Sequence, residues 1–270
     1  MIKDFVTVAG LRTYYWHAGS GPTLLMLHGQ LPGSCVAVEW GDQVERFADA
    51  GFSVYAPDVA GFGQTDNPAE HSIETRIAHA RAFADHFEFT RYSIWGSSMG
   101  TYMGCAMALA DPRVDKLVIM PSTLLPPPLP GTPASSAPPP GSVGELVMSY
   151  TPSLDNARAV LNRVLINQAA RNEARVRLFL ENSNGKNIAA EHGRRAAGRP
   201  KPLHPELHRL KNRSLLLWGA DDPNSVPERA LLLQRAIPGA EFHVLPNCGH
   251  WPQQDQPDRT FELVRAFLQT

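Results

Sequence analysis

Short apolar runs alternate along this chain with longer stretches whose apolar residues recur every three or four positions. Phe5, Val6 and Val8, the turn Ala9-Gly10, and the β-forming run 11–17 predict a strand pair. Thr23-Leu24-Leu25-Met26-Leu27 is apolar on both faces and predicts a buried parallel strand, ending at His28-Gly29. An amphipathic helix is expected over 40–50, closed by Gly51, and a buried strand over 53–56. Helices over 72–87 and 99–110 alternate with strands over 92–95 and 116–120. Such βαβα alternation predicts a mostly parallel sheet with helices on both faces.

At Pro121 the rhythm breaks. Pro126-Pro127-Pro128, Pro130, Pro133 and Pro138-Pro139-Pro140 exclude regular helix and central strand there. Helical periodicity returns over about 154–180, followed by a polar, basic stretch to Arg199-Pro200. This interruption is read as an inserted lid on a stiff proline stalk. Alternation resumes with strands over 214–218 and 241–245 and helices over 227–237 and 257–268. The expected division is a core of residues 1–120 and 205–270 with a lid of 121–204.

Composition narrows the class. The chain has 270 residues, a formal net charge of −1, 43% hydrophobic and 19% charged residues. That suits one large globular domain, without the positive field that would recruit nucleic acid or an anionic membrane. Three cysteines at long spacings, with no C-x-x-C, argue against a disulfide framework or zinc site. No signal-peptide pattern opens the chain, and no apolar run is long enough to span a bilayer. The expectation is a soluble, cytoplasmic protein. Its partner is a small-molecule substrate, not nucleic acid or membrane, and self-association into a homo-oligomer stays open.

Chemistry concentrates at Gly96-Ser97-Ser98-Met99-Gly100, a G-x-S-x-G between a predicted strand and a predicted helix. A strained strand-to-helix turn needs small neighbours and lifts the Ser98 hydroxyl above the sheet. The helix N-terminus beneath it favours developing negative charge. His250, in the loop after the last predicted strand, is placed to act as base near pH 7. The pairs His79/His86 and His204/His208 lack this position and read as surface or structural histidines. Asp221 or Asp222, after the strand ending at Gly219, supplies the acid that orients the imidazole. Met120-Pro121-Ser122-Thr123, at the end of the strand that follows the nucleophile helix, holds no carboxylate. The order Ser, Asp, His is that of a strand-turn-helix serine nucleophile. The backbone N–H groups of Met99 and Gln30 are the expected oxyanion hole. Nucleotide-binding glycine loops and H-E-x-x-H are absent from the sequence, and no metal or cofactor is called for.

Apart from the lid, the chain resembles an α/β-hydrolase over essentially its whole length, and within that superfamily it is most similar to meta-cleavage-product hydrolases. The segments carrying this are His28-Gly29-Gln30-Leu31-Pro32-Gly33, Asp58-Val59-Ala60-Gly61-Phe62-Gly63 and Cys248-Gly249-His250-Trp251. The resemblance implies the α/β-hydrolase fold and cleavage of a carbon–carbon bond in a vinylogous 1,5-diketone acid. It picks Asp222 over Asp221, which is then a turn residue or cap. It also makes Trp251 a wall of the substrate pocket. Three positions depart from the family. Ser97 stands where asparagine precedes the nucleophile, Glu39 about where a second asparagine is expected, and Arg163 is the nearest candidate for the lid arginine. Gly29, Ser97, Glu39, Trp251 and Arg163, with Leu125 and Leu165, form the expected substrate-contacting set. Leu124, Val147, Met148 and Leu161 are further candidates for an apolar wall. Three functional readings follow: C–C hydrolysis, ester or lactone hydrolysis through an acyl-enzyme, and a ligand receptor built on the hydrolase fold.

Overall fold

The computed structural model describes residues 1–127, 129 and 142–270. The proline cluster from 130 to 140, and Pro128, lie outside the described residues. Eight strands among the described residues form one sheet: β1 (Ile2–Val8), β2 (Leu11–Ala18), β3 (Thr23–Leu27), β4 (Ser53–Pro57), β5 (Tyr92–Gly96), β6 (Val114–Ile119), β7 (Arg213–Gly219) and β8 (Glu241–Leu245). Their order is β1-β2-β4-β3-β5-β6-β7-β8. The hairpin β1–β2 and the β2–β4 pair are antiparallel; β4-β3-β5-β6-β7-β8 are parallel.

Period-two alternation splits the central strands between two cores. Leu25, Leu27, Ile94, Leu117, Ile119, Leu216 and Trp218 face one, with helices Ile73–His86 and Met99–Ala110. Leu24, Met26, Trp95, Val118, Leu215 and Leu217 face the other, with helices Gln43–Asp49 and Pro257–Gln269. Covering both faces is what lets these strands be apolar throughout. The sheet order reverses direction at β3, with β4 on one side and β5 on the other, so a crevice opens at the carboxyl ends of β3 and β5. Leu27 pairs with Gly96, which brings the loop after β3 beside the turn after β5.

Between β6 and β7 the described chain forms helices Val143–Met148, Leu154–Val164, Glu173–Asn182 and Gly185–Ala196, with a 3₁₀ turn at Gln168–Arg171. Their apolar faces make a third cluster with Cys35, Val38 and Trp251 from the sheet-bearing part. Phe179 packs so tightly on Gly33 that a Cβ there would lie 2.3 Å from the Phe179 carbonyl oxygen.

Two expectations need correction. The helix expected over 40–50 is two helices, Val36–Glu39 and Gln43–Asp49, separated where Gly41 takes φ 48°. The polar stretch before Arg199 contains the helix Gly185–Ala196, started by the Asn184 side chain accepting from the Lys186 N–H. Its inward face carries Asn187, Ala190 and Glu191, with Glu191 paired to Arg194 and Arg195, so no apolar stripe marked it.

Candidate active site

Ser98 sits at φ 52°, ψ −109°, at the N-cap of the helix Met99–Ala110. A residue other than glycine rarely adopts this region, and such strain persists only where the surroundings enforce it. Here they do. A Cβ at Gly96 would lie 2.5 Å from the Gly100 oxygen, and one at Gly100 would lie 2.0 Å from the Leu27 oxygen. Both glycines of the motif are therefore required by close backbone approach. The Thr101 hydroxyl donates to the Gly96 carbonyl at 2.8 Å and accepts from the Met120 N–H at 3.1 Å, pinning the turn to β6.

The Nδ1–H of His250 donates to Asp222 Oδ2 at 2.7 Å, both side chains buried. This fixes the tautomer and leaves the lone pair on Nε2. Burial pulls the His250 pKa down; the charge and hydrogen bond of Asp222, with the charge of Glu39, outweigh it and hold the pKa above 6.5. Asp221 is exposed, and its carboxylate accepts the Cys248 N–H at 3.3 Å, a turn role. The hydroxyl of Ser98 makes no hydrogen bond with His250.

The N–H groups of Gln30 and Met99 meet no acceptor among the described residues. Both line one narrow cleft, together with His71, Leu124, Arg194 and Arg199. The loop carrying Gln30 is held by buried groups. His28 donates from Nδ1 to the Gly29 carbonyl at 2.8 Å and accepts the Val59 N–H on Nε2 at 2.9 Å. Burial draws its pKa down to about 4, so it stays neutral. Asp58 accepts N–H bonds from Val36 and Gln64, and burial lifts its pKa to about 6.

Glu39 is fully buried, and its carboxylate accepts the Gly29 N–H at 3.1 and 3.0 Å and the Ser34 hydroxyl at 2.5 Å. Burial raises its pKa against the opposing pull of Ser34, Gly29, Ser97 and His250. The Ser97 hydroxyl is buried close enough to Glu39 to act on it, yet meets no partner at hydrogen-bond geometry. Trp251 and Leu165 are buried together in the third cluster.

Other expected residues fall elsewhere. Arg163 is exposed, because helical spacing turns Ala157, Val160, Leu161 and Val164 inward instead. Leu125 packs inside the core with Met99 and Tyr102, while its neighbour Leu124 lines the cleft. Met148 is 57% exposed, but Val147 is buried.

One buried carboxylate beside the His250 loop escaped the sequence. Asp255 is buried and accepts N–H bonds from Gly249 at 2.6 Å, Ile166 at 2.9 Å and Asn167 at 2.9 Å. It ties the His250 loop to the segment after helix Leu154–Val164. Nothing in the spacing of Asp255 from residues about 88 positions away signals that contact.

The alpha/beta hydrolase family model matches residues 24–263. The chain is an α/β-hydrolase. It is an enzyme of that family, with the α/β-hydrolase fold and the likeness to meta-cleavage-product hydrolases expected from its sequence. The 2-hydroxy-6-oxononadienedioate/2-hydroxy-6-oxononatrienedioate hydrolase of Paraburkholderia phymatum is 30% identical over 270 residues, covering 96% of this chain and 91% of that protein. The meta-cleavage product hydrolase CumD of Pseudomonas fluorescens IP01 superposes with a TM-score of 0.86 at 26% identity, covering 98% of this chain and 97% of CumD. Est816, described as an N-acyl homoserine lactone degrading enzyme, shares the fold with a TM-score of 0.76 at 22% identity, covering 97% of this hydrolase and 99% of Est816. Among the described residues of the hydrolase, no helix is long and apolar enough to cross a membrane.

Proposed function

We propose that this hydrolase cleaves a carbon–carbon bond in a vinylogous 1,5-diketone acid, the class of compound named in its relatives, with Ser98 as nucleophile. The observation that carries the reading is the 2.7 Å bond from His250 Nδ1 to Asp222 behind a serine held at φ 52°. His250 Nε2 takes the Ser98 proton as Oγ attacks the substrate carbonyl carbon. The resulting oxyanion lies against the Gln30 and Met99 N–H groups. Collapse expels the dienolate carbon, which takes a proton from the imidazolium, and water releases the acyl group from Ser98. The segment 121–204 acts as the lid, with Trp251 and Leu165 part of the apolar wall beneath it. No metal or cofactor enters these steps.

A second reading, ester or lactone hydrolysis by the same groups, is favoured by Glu39 and Ser97. These replace the two asparagines that the family resemblance leads one to expect near the polar end of an acidic substrate. The test is a panel of p-nitrophenyl esters, lactones and a ring-fission dienoate under one set of conditions. Fastest turnover of the dienoate supports C–C hydrolysis. Turnover of esters alone replaces it with the second reading, and turnover of none overturns both and favours a receptor.

A further inference from the structure

We propose that Glu39 is a positioning residue for the oxyanion hole: its buried carboxylate clamps the loop that aims the Gln30 N–H at the reacting oxygen. This rests on Ser98 as nucleophile and on the Gln30 and Met99 N–H groups as the hole, and it holds whichever bond is cleaved.

The two donors of that hole are supported unequally. Met99 opens the helix Met99–Ala110, in a turn where the Gly100 N–H donates to the Ser97 carbonyl at 2.8 Å and the Ser98 N–H to the Pro121 carbonyl at 3.1 Å. Gln30 lies in irregular backbone past the end of β3, so no helix or strand ladder fixes the direction of its N–H. One unit fixes both of its neighbours instead. The Gly29 N–H donates to Glu39 Oε1 and Oε2 at 3.1 and 3.0 Å. The Leu31 N–H donates to Ser34 Oγ at 2.9 Å, and that hydroxyl donates to Glu39 Oε1 at 2.5 Å. Glu39 thus holds the preceding N–H directly and the following one through Ser34. The Gln30 N–H between them is left without an acceptor among the described residues.

The clamp is itself held. The Glu39 carbonyl accepts Nε2–H bonds from Gln253 at 3.2 Å and Gln254 at 2.8 Å, in the helix Pro252–Asp255 that follows Trp251. The segment after His250 therefore sets where Glu39 stands, and Glu39 sets where Gln30 stands. Glu39 is fully buried and in no ion pair with a lysine or arginine among the described residues. Burying a carboxylate without a cation is costly unless hydrogen bonds offset it, and charge-assisted bonds are roughly twice as strong as neutral ones. The donors that offset it here belong to the loop around Gln30. Gly29 permits the close approach: a Cβ there would lie 3.1 Å from both Glu39 Oε1 and Ser98 Cβ, crowding the carboxylate and the nucleophile.

The test uses ethyl p-nitrophenyl methylphosphonate and its P=S analogue, with release of p-nitrophenolate timing the attack of Ser98 on phosphorus. The P=O oxygen gathers charge and needs the N–H donors, whereas sulfur is a weak acceptor. Glu39→Ala should slow the P=O probe by about 100-fold, the order of one lost oxyanion donor, and the P=S probe by about tenfold at most. A merely structural loss would slow both probes alike. Glu39→Gln keeps an acceptor for the Gly29 N–H and offers an amide donor to Ser34 Oγ. It should bring the P=O rate back to within about tenfold of native. A folded Glu39→Ala with the native ratio of the two rates overturns the clamp, as does a folded Glu39→Gln as slow as Glu39→Ala. Should Glu39→Ala fail to fold, Ser34→Ala frees the Leu31 N–H while leaving the carboxylate in place. It should still lower the ratio of P=O to P=S rates, and an unchanged ratio there overturns the clamp. Native-rate reaction of folded Ser98→Ala with the P=O probe is a separate result, which removes the nucleophile on which the clamp rests.

Discussion

The backbone N–H of His250 donates to the carbonyl oxygen of Val164 at 2.8 Å. That bond ties the loop bearing His250 to the last turn of a helix between β6 and β7. With the Asp255 carboxylate bridging Gly249 to Ile166 and Asn167, it couples the position of the imidazole to the inserted segment. Removing the Asp255 acceptor leaves buried N–H groups without partners, a cost of about 1–3 kcal/mol. Asp255→Ala should therefore lower both the unfolding temperature and kcat, measured by calorimetry and steady-state kinetics. A variant with normal kcat would show that the His250 loop holds its place without that tie.

Asp222 and Asp221 differ in what they face. Asp222→Asn keeps volume but favours the wrong imidazole tautomer, and kcat should fall by about 10⁴-fold. Asp221→Asn weakens one long turn bond and should change kcat by less than about tenfold. Measuring both variants on one substrate checks the ranking, and the reverse order would move the acid role to Asp221.

In the proposed mechanism the base is neutral His250, whose pKa is held above 6.5 by Asp222 and Glu39 against burial. Hence kcat/KM should rise with pH along a limb centred above 6.5, and Asp222→Asn should move that limb down. A limb below 6.5 in the native enzyme would show that the two carboxylates do not outweigh burial.

Stability should carry a different pH signature. Burial lowers the His79 pKa to about 4, beside the Thr13 hydroxyl. A histidine whose pKa is depressed on folding binds protons more readily when unfolded, so its share of stability is lost as pH falls from about 6.5 towards 4. At about pH 5 that share is of order 2 kcal/mol. His28 acts in the same direction and Asp58, raised to about 6, in the opposite one. His79→Gln leaves both in place. The drop in unfolding temperature between neutral pH and about pH 5 should shrink in this variant. An unchanged drop would place the acid sensitivity elsewhere.

What the sequence made legible follows the strength of local signals. The change from an apolar run at Tyr92–Gly96 to a helix at Met99–Ala110 marked the serine turn, because the glycines there are demanded by backbone contact. The strand Glu241–Leu245 was legible by its β-formers although several of its side chains are partly exposed. Choosing between Asp221 and Asp222 needed the direction of the turn after Gly219, which spacing does not encode. The helix Gly185–Ala196 was hidden because it buries Asn187 and Glu191 instead of an apolar stripe. Arg163 was misplaced because a basic residue in a helix says nothing about which face it occupies until the helix is packed. Asp255 and Glu39 act through loops brought to them by the sheet, contacts fixed only by tertiary structure.

The central claim is that Ser98 is the activated nucleophile. The direct measurement is reaction with a serine-directed phosphonate, read by mass spectrometry of the intact protein and its peptides. One adduct per chain, on Ser98, with loss of turnover in proportion, is the predicted result, and Ser98→Ala should take no label while keeping its fold. Labelling at another residue, or substantial turnover by the folded Ser98→Ala variant, would contradict it.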